Sequence, residues 1–162
     1  MEILKIEIFH YPQVAEIYLQ GISTNNATFQ MEATSWEDWD KSHLQHSRSA
    51  AFVANEMAGW AALSPVSSRC VYGGVAEVSI YVGDDFRGQG IGKKLLLQLI
   101  TASEENNFWT LQSGIFPENI GSIRLHESCG FRQVGYRERI GKRNGIWRDN
   151  IIMERRSKVV GL

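Results

Sequence analysis

The spacing of apolar residues changes several times along the chain, and each change predicts an element. Ile3 to Phe9 alternates apolar with polar positions and reads as an opening strand. Pro12 then falls where a first helical turn tolerates it, and Val14, Ile17, Tyr18 and Ile22 make one helical face. Thr34-Ser35-Trp36-Glu37 has the capping-box form, with Thr34 as cap and Glu37 reaching back, so a second helix should run to about His46. Ala50 to Ala54 and Met57 to Leu63 read as two strands joined by a tight turn at Asn55-Glu56. An irregular stretch, Ser64 to Gly74, gives way to a strongly β-like run from Val75 to Val82. Beyond a glycine cluster, Ile91, Leu95, Leu96, Leu99 and Ile100 mark a core-facing helix. Trp109 to Phe116 reads as a strand. Asn119 can cap a further helix that buries Ile123 and stops at Cys129-Gly130 with a left-handed glycine. Phe131 to Arg156 reads as a long hairpin turned at Arg143-Asn144-Gly145.

The order β-α-α-β-β-β-α-β-α-β-β predicts a mixed α/β sheet in a single domain over residues 1–162, with no repeat, low-complexity segment or linker. At 162 residues and 43% hydrophobic, the chain has apolar mass enough for one core. Its 17 Lys and Arg against 18 Asp and Glu leave a net charge of −1, so no global field draws it to nucleic acid or an anionic membrane. An anionic ligand must be met locally. Cys70 and Cys129 have neither disulfide-framework nor zinc-site spacing, which predicts no metal and a reducing cytoplasm. No apolar run has the length of a signal or membrane segment, so membrane association is not expected.

The local place for an anion is Arg87-Gly88-Gln89-Gly90-Ile91-Gly92, between a predicted strand and a predicted helix, where free N–H groups and the helix dipole act together. A Walker A loop would need Gly at Arg87 and Ser or Thr at Lys94. A dinucleotide fingerprint would need Gly at Lys93 or Leu95. Arg87-x-x-Gly90-x-Gly92, following Glu77 to Val82, instead resembles the GCN5-related N-acetyltransferases (GNAT), as does Asn119-x-x-Ser122-x-x-Leu125-His126-Glu127-x-x-Gly130-Phe131. The alternative is a purely structural glycine turn at a helix start.

Within that family the chain looks most like the phosphinothricin and methionine sulfoximine N-acetyltransferases. The likeness is carried by Glu16-Ile17-Tyr18, Asn26-Ala27-Thr28-Phe29, Trp36-Glu37-Asp38-Trp39, Ala76 to Ser79, Ser122 to Glu127 and Gly145 to Asp149. The resemblance implies a GNAT-like fold, a mixed, mostly antiparallel sheet of about seven strands with four helices. It also implies acetyl-CoA as co-substrate, transfer to the α-amine of a small amino acid, and a homodimer.

Amine acetylation needs a neutral nucleophile, a place for an oxyanion and a route for the thiolate proton. Glu77, on the strand leading to the glycine loop and set among Val75, Val78 and aromatics, is the best candidate base; the resemblance gives a glutamate here that role. The alternative is a solvated strand carboxylate. His126 stands where many family members carry an acidic tyrosine, and reads equally as an acid or as a packed helix histidine. Cys129, just before the helix-ending glycine, reads as a small buried residue, which favours direct transfer over an acyl-enzyme.

The resemblance implies a bulged strand whose backbone at Ile80, Tyr81 and Val82 meets the thioester and its pantetheine arm. Arg87, Gly88, Gln89, Gly90, Ile91, Gly92 and Lys93 would meet the phosphates, with Asn119 and Ser122 contributing from the next helix. For the acceptor, Arg69 is the expected carboxylate partner, Phe29 and Tyr72 the walls, and Ser79 a neighbour of Glu77; a solvated loop arginine is the alternative for Arg69. Two other functions remain open on the same residues: acetylation of another small amine or a protein N-terminus, and a non-catalytic acyl-CoA sensor.

Overall fold

In the computed structural model, which describes residues 1–162, seven strands form one sheet in the order β1-β2-β3-β4-β5-β7-β6. The strands are β1 (Glu2–Lys5), β2 (Arg48–Val53), β3 (Glu56–Pro65), β4 (Val75–Val82), β5 (Thr110–Ile115), β6 (Arg132–Arg143) and β7 (Ile146–Arg156). Four helices accompany them: α1 (Tyr11–Ser23), α2 (Trp36–Ser42), α3 (Ile91–Glu105) and α4 (Ile120–Ser128). Every pairing is antiparallel except β4 with β5. The expected architecture of seven strands and four helices is the one observed.

Two cores flank the sheet. On one face α3 buries Ile91, Leu95, Leu96, Leu99 and Ile100, the stripe its sequence predicts, against Ala61, Leu63, Ala76 and Val78. Each fully buried leucine here contributes roughly 1.5–3 kcal/mol. On the other face Val14 and Ile17 of α1 and Trp39 of α2 pack with Met57 and Trp60 of β3. Two-residue periodicity therefore sends alternate residues of β4 to different cores, and that division builds the site.

Three expected boundaries move. The opening strand stops at Lys5 rather than Phe9, because Ile8–His10 turn into a 3-10 segment in which the Glu7 N–H donates to Nδ1 of His10 at 3.0 Å. The cap of α2 is Ser35, whose Oγ accepts the Asp38 N–H at 3.2 Å, not Thr34, and the helix ends at Ser42, not His46. It ends there because His43 is extended and its ring folds back to stack on Trp39 at 4.2 Å. The β2–β3 turn is Ala54-Asn55, one residue earlier than expected, both left-handed at φ 49° and 66°. The distal hairpin turns where predicted, with Asn144 and Gly145 at φ 52° and 75°.

Candidate active site

Beyond β4 the chain makes a 3-10 turn at Asp84–Phe86 and enters α3 through the glycine loop. Gly88 and Gly90 sit at φ 74° and 78°, a backbone region that L-residues avoid, and a Cβ at either would meet nothing within 4 Å. Backbone conformation, not crowding, is what requires glycine here. None of the N–H groups from Arg87 to Lys93 finds an acceptor in the protein, and α3 has no side-chain cap. Open space in front of free donors at a helix N-terminus fits a pyrophosphate. Gly92 serves packing, since a Cβ would lie 3.1 Å from Leu125 of α4. Arg87 pairs with Asp84 at 2.7 Å with both side chains half exposed, Lys93 is exposed, and Gln89 donates to the Asp85 carbonyl at 3.0 Å.

The second opening lies along β4. Its pairing with β5 covers only Val75, Ala76 and Glu77, after which β4 keeps β3 on one side and no strand on the other. From Val78 to Val82, alternate backbone N–H and C=O groups therefore lack a strand partner. The implied bulge is absent: the β3–β4 register is unbroken from Gly59 opposite Val82 to Pro65 opposite Ala76. Divergence from β5 frees the same backbone without one. Ile80 and Val82 pack toward the α3 core, while Tyr81 packs with the α1 side.

Glu77, Ser79 and Tyr81 share the other face of β4 and line a cavity of about 540 Å³. Glu77 is exposed, and Gln112 of β5 donates to its Oε2 at 3.3 Å. Val78 and several aromatics line the same cavity, but Glu77 itself stays exposed rather than enclosed, because alternation packs the Val78 side chain into the α3 core. Phe29 lines the cavity as expected, set edge-on against Phe116 at 4.7 Å, and a Cβ at Gly141 would strike it at 2.9 Å. Burial, and secondarily the charge on Tyr18, push the Tyr81 hydroxyl above the ordinary phenol range.

The other expected residues lie elsewhere. Arg69 is exposed and stacks on Tyr72, 5.5 Å from the ring centroid, and neither lines the cavity. His126 is 1% exposed, set edge-on to Phe131 at 5.0 Å. Its Nδ1 donates to the Ser122 carbonyl at 2.7 Å, leaving a buried Nε2 without a partner. Burial holds it below the ordinary imidazole range, so it is neutral at neutral pH. Asn119 caps α4 by accepting the Ser122 N–H at 3.2 Å, and its Nδ2 donates to the Asn26 carbonyl at 3.1 Å, so both ends of the amide are engaged.

Arginines of the terminal hairpin, which the sequence shows only as a basic cluster fit for a solvated edge or a dimer surface, complete the cavity and its frame within one chain. Arg137 of β6 is the one lysine or arginine lining it. Arg143, only 5% exposed, donates to the carbonyls of Ile22 at 2.8 Å and Thr28 at 3.1 Å and to the Asn25 side chain. Arg148 donates to the Asn25 carbonyl at 2.7 Å and lies 4.1 Å from the Phe116 ring centroid. The distal hairpin thus holds the Asn25–Phe29 loop against the cavity. The only sequence signal was the density of arginines in that hairpin.

A sheet parted after Glu77, beside a glycine loop with free N–H groups, defines an acyltransferase-type fold with a cleft for a phosphorylated carrier. The family model described as "Acetyltransferase (GNAT) family" matches residues 11–131, and the chain belongs to that family. It is 34% identical over 101 residues to a phosphinothricin N-acetyltransferase of Alcaligenes faecalis, covering 62% of this chain and 51% of that protein. It is 32% identical over 105 residues to an L-methionine sulfoximine/L-methionine sulfone acetyltransferase of Pseudomonas paraeruginosa, covering 65% and 61%. The matched stretch thus spans between about half and three fifths of these curated relatives. Among solved structures, the ribosomal-protein-alanine N-acetyltransferase of Brucella melitensis superposes with a TM-score of 0.90 at 26% identity, covering 97% of this chain and all of that one.

Proposed function

We propose that the protein, acting as one unit over residues 1–162, transfers the acetyl group of acetyl-CoA directly to the α-amine of a small amino acid. Phosphinothricin and methionine sulfoximine are the model acceptors, as the names of its relatives suggest. The observation that carries this reading is the meeting of two openings at β4. The unpartnered N–H groups of Arg87 to Lys93 lie at one end and the Glu77-lined cavity at the other, along a strand edge freed from β5.

Acetyl-CoA supplies an activated thioester whose pyrophosphate suits the glycine loop. Glu77 takes the ammonium proton, directly or through water, and makes the amine nucleophilic. The backbone N–H groups near Tyr81 and Val82 meet the oxyanion in this reading, which the edge freed from β5 supports. His126 is assigned to packing α4, because its one N–H already serves the Ser122 carbonyl. Collapse of the tetrahedral adduct breaks the C–S bond, the thiolate of coenzyme A departs, and the second amine proton passes to it through water.

A thiol-release assay on the purified chain tests this, with a panel of amino acids, polyamines and an alanine-initiated peptide. Amino acids should turn over, and Glu77→Gln should lower kcat/KM by at least ~100-fold. Acetyl-CoA binding without turnover would leave an acyl-CoA sensor. Peptide turnover above that of every amino acid would favour a protein N-terminus, the acceptor class named for the Brucella structure.

A homodimer in a reducing cytoplasm is the setting we infer. Tyr136, Ile140, Ile146 and Trp147 on β6 and β7 are each more than half exposed, and Cys70 and Cys129 are both free. Light scattering that gives a monomer mass at micromolar concentration would remove the dimer.

A further inference from the structure

The cavity extends past the β4 row into a continuous set of rings. Tyr81 lies 5.0 Å from both Tyr18 and Trp60; Trp60 lies 5.7 Å from Trp39, which stacks on His43 at 4.2 Å. This lobe is apolar in bulk, so its polar tips decide what enters.

Almost every tip is engaged within the protein; the Tyr81 hydroxyl is held beside Thr28. The Tyr18 hydroxyl meets Thr28 Oγ1 at 3.2 Å, the Trp60 indole N–H donates to the Val14 carbonyl at 3.1 Å, and the Tyr11 hydroxyl donates to the Thr34 carbonyl. The Trp39 indole N–H has no partner but is wholly buried. His43 is different. Its Nδ1 sits 2.7 Å from the Trp39 carbonyl, which can only accept, so Nδ1 carries the proton. Burial, with Arg48 adding to it, holds the ring below the ordinary imidazole range and keeps it neutral. Nε2 is then a lone-pair acceptor with no partner in the protein, and His43 is only half-buried at the cavity wall.

Charge points the same way. The cavity is lined by two carboxylates, Glu32 and Glu77, and one cation, Arg137. An amino-acid acceptor sets its α-amine at Glu77 and its carboxylate at Arg137. A second acidic group on the acceptor would then have no cation to meet.

We propose that the aromatic lobe receives an uncharged acceptor side chain, which donates a hydrogen bond to Nε2 of His43. The inference rests on the amino-acid reading above and narrows it. Neutral side chains with a terminal N–H or O–H become the preferred class over acidic ones, so methionine sulfoximine displaces phosphinothricin, whose phosphinate is anionic, as the model acceptor, and His43 becomes a specificity residue.

Two matched acceptor pairs, assayed by thiol release on the full chain, test the two halves. L-glutamine should exceed L-glutamate in kcat/KM by at least about tenfold, because the two differ in charge at nearly constant shape. L-methionine sulfoximine, with an N–H, should exceed L-methionine sulfone, without one, by about tenfold. His43→Phe should bring the second ratio within about threefold, and His43→Gln, which restores an acceptor oxygen, should recover it. A preference for glutamate, or a sulfoximine-to-sulfone ratio unmoved in His43→Phe, would overturn the proposal while leaving amino-acid acetylation intact. Failure of every amino acid to turn over with acetyl-CoA still bound would remove both.

Discussion

Asn119 ties α4 to the cavity loop: its Nδ2 donates to the Asn26 carbonyl at 3.1 Å while its Oδ1 holds the Ser122 N–H at 3.2 Å. One amide joins a helix N-terminus on the cofactor side to a loop 93 residues away on the acceptor side. Asn119→Asp keeps a capping oxygen and loses the donor, whereas Asn119→Ala loses both. The aspartate variant should cost about 1 kcal/mol and the alanine variant up to ~2 kcal/mol in urea unfolding. Both should raise the acceptor KM more than the acetyl-CoA KM. Equal effects on the two KM values would show that the tie does not shape the acceptor side.

Arg143 serves three acceptors from a buried position, the Ile22 carbonyl near the end of α1 and two groups on the same loop. Arg143→Ala strands the Thr28 carbonyl, takes one of two donors from the Ile22 carbonyl, which keeps the Asn25 N–H at 3.1 Å, and should destabilise the fold by about 2–4 kcal/mol. Arg143→Lys should recover less than half of that, because a single ammonium cannot match a planar fork of donors. Urea denaturation of the three proteins decides this, and full rescue by lysine would reduce the role of Arg143 to charge.

The glycine loop makes a narrower claim. A Cβ at Gly90 has open space but a φ of 78°, so Gly90→Ala should cost about 1–2 kcal/mol in conformational strain rather than in packing. Because the same conformation aims free N–H groups outward, acetyl-CoA affinity should fall at least about tenfold by calorimetry. Unchanged affinity would move the phosphate contact off this loop.

Stability should decline as the solution becomes acidic. Burial keeps His126 neutral in the fold, with the Ser122 hydrogen bond opposing it more weakly, and His43 behaves likewise. Once the pH falls through about 6.5, the unfolded chain binds protons that the native state refuses. Their contribution is therefore flat above that pH and becomes a loss below it, until the depressed native pKa is reached. Between pH 6.5 and 5.5 each histidine should lower the stability, by at most about 1 kcal/mol. His126→Gln should shallow that slope in urea titrations at the two pH values, and an unaltered slope would show that His126 is not the group refusing the proton.

The acceptor carboxylate separates two arginines. Arg137 lines the cavity whereas Arg69 stacks on Tyr72 outside it. Arg137→Ala should raise the acceptor KM about tenfold with little change in kcat, by more than Arg69→Ala does. A larger effect at Arg69 would return the carboxylate contact to the Ser64–Gly74 stretch.

Elements that depend on neighbours in the chain were readable from residue spacing. The α3 stripe, the Asn119 cap, the Gly130 stop at φ 88° and the Asn144-Gly145 turn all follow from short-range sterics and periodicity. Boundaries failed where a side chain overrode the backbone pattern, as when the His43 ring turned back to stack on Trp39 and ended α2 early.

The same division runs through the site. A strand, a positive-φ glycine turn and a helix start suffice to make a phosphate cradle, and those are written in consecutive residues. The acceptor cavity is assembled from α1, α2, β4, β5 and the distal hairpin, so its charge is set by which side chains the sheet register turns inward. Register shifts in β6 lie between Gln133 and Gly135 and between Arg137 and Gly141, and no local pattern announces them. That is why Arg137 and His43 emerge only from the folded chain, whereas Gly88 and Gly90 stand out in the bare sequence.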